Sequence, residues 1–199
     1  MSRILFLRLM ASMSLGAIVS VCCADPVTYI IDPEHTFPSF EADHAGGLSI
    51  WRGQIERTTG VIILDREKKA GTVEINMDIT SIDFGLEAMN ERAMEEDILD
   101  VARFPTAKYV GTFSDFKSNN EPSAIEGEFT LHGVTQPLRL AINSFQCLVR
   151  ERGGNAGVET CGADASASFN RDDFGVDFGL GRHLQYVNLM IMVEANRAE

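Results

Sequence analysis

Two histidines, His35 and His44, bracket one short stretch of the chain, with Asp32, Glu34 and Asp43 beside them. Imidazole next to carboxylate is the raw material of a metal site or of acid–base catalysis. Their nine-residue spacing matches no recurrent ligand set, so no metal is expected. The order Phe40, Ala42, His44 instead puts His44 on the inward face of a strand near its end, hydrogen-bonded there. Nucleophile chemistry has no signature: Gly-x-Ser-x-Gly, HExxH, P-loop and GxGxxG motifs are all missing. Cys147 and Cys161 lack neighbouring histidines and make a weak zinc signal.

A second pattern bears on binding rather than catalysis. Ala163, Ala165 and Ala167 alternate with Asp164, Ser166 and Ser168, so one face of this strand is methyl-sized. Strands facing it offer Ile75, Met77, Phe129 and Leu140. Either a helix packs closely on the alanines, or the interior keeps an apolar hollow there.

The elements that must position these residues are strands. Val73, Ile75, Met77 and Ile79 alternate with Glu74, Asn76 and Asp78, as in a strand buried on one side. The same alternation covers 125–131, 138–142 and 187–193, and more weakly Thr28–Ile31, Phe37–Ala45, Gln54–Leu64, Lys108–Phe113 and Gly162–Phe169. Turns are expected at Ala45-Gly46-Gly47, Lys68-Lys69-Ala70-Gly71, Asn119-Asn120-Glu121-Pro122 and His132-Gly133. Many short strands at this spacing predict an all-β sandwich or closed barrel in a single domain. One segment, Leu86–Leu99, is rich in helix formers, with Leu86, Met89, Ala93 and Met94 on one side. It is expected to be a single helix that caps or flanks the strands, begun by Asp83 or the residues after Gly85 and ended before Phe104-Pro105.

The first 24 residues read as a leader. Arg3 and Arg8 precede about a dozen apolar or small residues, too few for the ~20 of a spanning helix, and Cys22-Cys23-Ala24 offers small residues for cleavage before Asp25. Val21 is too large for the residue before a lipidated cysteine. The mature domain is thus expected at 25–199, in a periplasmic or secreted setting. Cleavage takes two arginines and no acid, moving the net charge from −12 to −14. Nucleic acid and anionic lipid surfaces are poor candidate partners on that balance. It also leaves two of four cysteines, Cys147 and Cys161, which favours a disulfide across a hydrophilic, glycine-rich connection. Closing that loop of about 15 residues contributes about 3 kcal/mol.

Taken together, several stretches resemble the YceI-like, polyisoprenoid-binding family. They are Tyr29-Ile30-Ile31-Asp32-Pro33-Glu34-His35-Thr36 with Phe40-Glu41-Ala42-Asp43-His44, the Gly53–Asp65 hairpin, and Ser81-Ile82-Asp83. The most distinctive is Asp97-Ile98-Leu99-Asp100-Val101-Ala102-Arg103-Phe104-Pro105. Gly127–Pro137 and Arg171-Asp172-Asp173-Phe174-Gly175-Val176 complete a resemblance covering 28–195. It implies a lipocalin-like antiparallel barrel of about eight strands, whose apolar cavity holds a polyisoprenoid or other long-chain lipid. Members often carry an Arg-Asp-x-His-like pattern in the helix, where this chain has Met89-Asn90-Glu91-Arg92.

The residues expected to line the cavity are Phe40, Ala42 and His44 on one strand, Ile75 and Met77 on another, then Phe113, Phe129 and Leu140. Ala163, Ala165, Ala167 and the helical Met89 join them. Arg52, Arg171 and Arg182 are the cations near strand ends that could meet a headgroup, with an ion pair to nearby carboxylates as the alternative role for Arg171. A non-enzymatic carrier of a long-chain isoprenoid or fatty lipid is the leading reading, with no cofactor, no stable membrane insertion and a dimer left open. An enzyme using Asp43, His44 or His35, and an interaction module with a filled barrel, are the alternatives.

Overall fold

The computed structural model describes residues 25–179, 181–182 and 184–199. The proposed leader lies outside the described residues. The strands are β1 (Val27–Ile31), β2 (Phe37–His44), β3 (Ser49–Ile55), β4 (Thr58–Asp65), β5 (Ala70–Asp78) and β6 (Ile82–Asp83). After α1 (Glu87–Met94) come β7 (Thr106–Phe116), β8 (Pro122–Leu131), β9 (Val134–Val149), β10 (Glu159–Asn170) and β11 (Tyr186–Arg197). Every pairing is antiparallel. The order β1-β4-β5-β7-β8-β9-β10-β11 closes through β1–β11, giving the eight-stranded barrel that the alternation predicts. β2, β3 and β6 continue the sheet from β11.

These three strands are the upper halves of strands that bend. β1 and β2 both pair with β11, β4 and β3 pair with β1 and β2, and β5 and β6 follow one another in the same way. Side chains stitch each break. Between β1 and β2, Asp32 accepts hydrogen bonds from the Glu34 amide and from Asn196, while the Thr36 hydroxyl donates to the Glu194 carbonyl and accepts from its amide. The stretch expected as one strand, Gln54–Leu64, is broken at Glu56–Arg57 for a similar reason. Ser81 Oγ accepts from the Arg57 amide and donates to the Asp78 carbonyl, locking two neighbouring bends together.

Glycines make room for large inward groups. A Cβ on Gly127 would lie 2.6 Å from the Tyr109 ring, and one on Gly53 would lie 2.5 Å from that of Phe40.

The helix is shorter than expected. It stops at Met94, with Glu95 extended, rather than running to Leu99. Glu95, Glu96 and Asp97 would sit at the negative end of the helix dipole. Glu95 and Asp97 turn instead toward Arg92, which binds Glu95 at 2.8 Å and Asp97 at 2.6 Å. Asp83 does not cap the helix either: it accepts from the Gly85 amide and Asn90, and the N-cap is Leu86. Only Ala93 of α1 is fully buried, and the turn after it carries Ile98, Leu99 and Val101 onto the core. α1 packs against β6 rather than on the alanine row. Among the described residues no helix is long and apolar enough to cross a membrane.

Candidate functional site: an apolar cavity along the barrel

The inward face of the barrel does not fill it. A cavity of about 290 Å³ runs inside, walled almost wholly by carbon. The end away from α1 is closed by Tyr29, Ile31, Leu64, Cys161 and Ala195. Cys147 and Cys161 face each other across β9 and β10 and are joined by a disulfide, Cα to Cα 4.0 Å, so the expected bridge ties this end. The opposite end is covered by Ile98 and Leu99 after α1, by Val176, and by the short 3-10 turn Arg171–Phe174.

That turn is held by rings. Phe174, 1% exposed, meets Phe169 at 5.0 Å and Phe129 at 5.4 Å, both edge-on. Its carbonyl lies 3.2 Å from His132 Nδ1. Arg171 is thereby set at the cavity end, where its guanidinium donates to the carbonyls of Val176 at 2.7 Å and Phe178 at 2.6 Å. Among the described residues no carboxylate reaches it within ion-pair distance, and backbone carbonyls take the place of the ion pair considered as its alternative role. Burial pushes its pKa below the usual guanidinium value, against the pull of Asp172, Asp177 and Asp43.

Of the residues expected to line a cavity, Phe40, Ala42, Ile75, Met77, Phe113 and Phe129 do so, as do Leu140, Ala163, Ala165 and Arg171. Ala167 keeps the inward register but packs against the core outside the lining. His44 and Met89 lie off this lining. His44 ends β2 on the hairpin, stacked on Trp51 at 4.1 Å and bonded to Ser49. Met89 is half-buried on α1. Arg52 pairs with Glu41 at 2.8 Å, and Arg182 is exposed in the loop before β11.

His35 stands at the other end of β2 from His44, so the two imidazoles form no common site. Asp32, His35 and Glu194 do approach one another, but their atoms are engaged: Asp32 by His35, Glu34 and Asn196, and Glu194 by Arg150. This knot holds the bend between β1 and β2.

Polar atoms on the cavity wall are few. The Tyr109 hydroxyl donates to the Leu138 carbonyl at 3.0 Å, and burial pushes its pKa up. Tyr29 donates to Glu159 and Thr36 is bonded to β11. Thr58, fully buried at the start of β4, was outside the sequence expectation, as were Ile98 and Leu99. The Asp97–Pro105 stretch signalled the latter pair only as part of a motif.

The profile of the YceI-like domain matches residues 29–196, the whole barrel. A UPF0312 protein of Shewanella denitrificans is 29% identical over 190 residues, 94% of this chain and 96% of that one. Among solved structures, BcnA of Burkholderia cenocepacia superposes with a TM-score of 0.63 at 17% identity, covering 82% of this chain and 98% of that one. A polyisoprenoid binding domain from Saccharophagus degradans, implicated in plant cell wall breakdown, gives 0.63 at 11% identity over 86% and 99% of the two chains. With the domain profile spanning every strand from β1 to β11, the chain belongs to the YceI-like family.

Proposed function

We propose that this protein is a binding protein rather than an enzyme, holding one long-chain isoprenoid or fatty lipid inside its barrel. The observation that carries the reading is the carbon-walled cavity of about 290 Å³ inside the barrel, with the Arg171 guanidinium at one end. At about 30 Å³ for a group the size of water or methylene, it seats about ten carbons. At about 0.8 kcal/mol per buried methylene, that gives about 8 kcal/mol, or micromolar binding before any polar contact. The chain lies along β10, tail toward Cys161 and head toward Arg171. A neutral head with hydrogen-bond acceptors suits that end best, because Asp172, Asp177 and Asp43 surround the guanidinium with negative charge. Both His35 and His44 sit off the cavity wall, which supports carriage over catalysis by those residues. The polyisoprenoid-binding character of a structural neighbour agrees with this reading. The leader and the disulfide support a periplasmic or secreted site of action.

Mass spectrometry of an organic extract of the natively purified protein tests it. One long-chain lipid in near-equimolar amount is expected; a protein that is empty and binds no fatty or isoprenoid probe refutes the reading.

A further inference from the structure

The end of the barrel away from α1 is closed in two layers. One row of paired residues joins Ile31, Ala195, Cys161 and Cys147 across β1, β11, β10 and β9. The row beyond it, two residues nearer the end, joins Ile62, Tyr29 and Arg197, with Glu159 at the start of β10.

Tyr29 reaches across that last row. It is 2% exposed, whereas its neighbour Ile30, on the outer face, is 46% exposed. It lines the cavity, and because the wall is almost wholly carbon it does so with its ring. Its hydroxyl donates to Glu159 at 3.2 Å. The side chain therefore bridges β1 to β10 past β11, two strand spacings or about 10 Å. Glu159 is held in turn by Arg66 at 3.5 Å and Arg197 at 3.3 Å, both about half exposed. Solvent lies on the far side of the ring and the cavity on the near side. Val27, Glu159 and Arg197 do not touch the cavity, which stops at Tyr29.

We infer that Tyr29 is the floor of the ligand site and sets the length of chain that gains from burial. This rests on the lipid-binding reading and narrows it from any long chain to one whose buried tail has a fixed upper length. Between the Arg171 end and Tyr29 the cavity seats about ten carbons at about 30 Å³ each. Each methylene inside that limit gains about fourfold in affinity, and each one beyond it stays in water and gains little.

The test uses the mature, delipidated protein, with methyl esters of straight-chain saturated acids of six to eighteen carbons as competitors for a fluorescent fatty acid. In the wild type affinity should rise about fourfold per methylene up to about ten carbons and stay flat beyond. Tyr29→Ala should move that break about two to five carbons higher, because the ring vacates benzene-sized space of about 150 Å³. Tyr29→Phe keeps the ring and should keep the break. Ala163→Phe should move it lower, since Ala163 is the next inward residue above Cys161 on β10. Breaks are compared between proteins on the same esters, so ester solubility cancels. A wild type whose affinity climbs to eighteen carbons without a break overturns the inference and leaves lipid binding intact. So does a Tyr29→Ala variant that breaks where the wild type does, or a Tyr29→Phe variant whose break moves as far as that of Tyr29→Ala. If Tyr29→Ala does not fold, the Ala163→Phe series decides, and an unmoved break there overturns the inference. If no ester displaces the probe, the lipid-binding reading falls and the inference with it.

Discussion

Ala165 sits on β10 with 6% of its surface exposed, on the cavity that bulky side chains of β5, β8 and β9 also line. Replacing it with phenylalanine puts a ring into that space. An apolar cavity of about 150 Å³ holds a benzene, so the ring takes up about half of the 290 Å³ available. At about 30 Å³ per methylene-sized group, it displaces about five methylenes of ligand, up to about 4 kcal/mol of burial. Part of the chain can shift within the space that remains, so at least a tenfold loss of affinity, about 1.4 kcal/mol, is expected. The stability of the ligand-free protein should move the other way. A ring entering open apolar space buries surface at no packing cost, so the melting temperature should hold or rise slightly. In a filled core the same change overpacks and costs about 1–3 kcal/mol. Thermal melting of the delipidated variant, with displacement of a fluorescent fatty acid, separates the two. Lost stability with unchanged binding would refute the reasoning, because the alanines would then be seating neighbouring side chains rather than bounding a ligand site.

Cys147→Ser should lower stability by about 3 kcal/mol in denaturant titration while the folded fraction still binds, since the bridge closes the barrel end and touches no headgroup. Acid unfolding should show Asp32 at work. Burial opposes its charge, but bonds from Asn196, the Glu34 amide and His35 outweigh that and hold its pKa below the ordinary carboxylate value. Its contribution is thus full above an unfolded pKa of about 3.9 and is lost as pH falls through the lower folded value. Asp32→Asn should therefore be less stable at neutral pH and lose less on acidification, whereas parallel acid curves for variant and wild type would exclude that role. Arg171→Met should weaken binding of a long-chain amide or ester more than that of an alkane of equal length, measured by displacement, with equal losses counting against a headgroup contact at that site. N-terminal sequencing of protein recovered from outside the cytoplasm should begin at Asp25; an intact leader or a lipidated Cys22 or Cys23 would reject processing there.

The strands were legible because each is buried on one side only, which writes itself into the sequence as alternation, and the positive-φ turns at Ala45, Lys69, Asn120 and His132 fall where turn residues cluster. The bends were not. They depend on bonds between residues far apart in sequence, Thr36 with Glu194 and Arg57 with Ser81, which no local pattern registers. The end of α1 was missed for a related reason: helix propensity favoured continuing through Glu95–Leu99, and the ion pairs with Arg92 chose otherwise. His44 illustrates a further limit, since its inward parity was right and its position past the end of the barrel made parity irrelevant. For the site itself the difficulty is one of principle. Alternation says which face of a strand points inward, and it is the same for a packed core and for a hollow one. The distance between opposite walls is set by strand number and tilt, and what remains between them by side-chain volume summed over eight strands. Ala163 and Ala165 hinted at that remainder, because methyl groups on β10 leave space that Ile75 and Met77 on the facing β5 do not fill. The features that would select one lipid over another are thus those that tertiary structure alone creates.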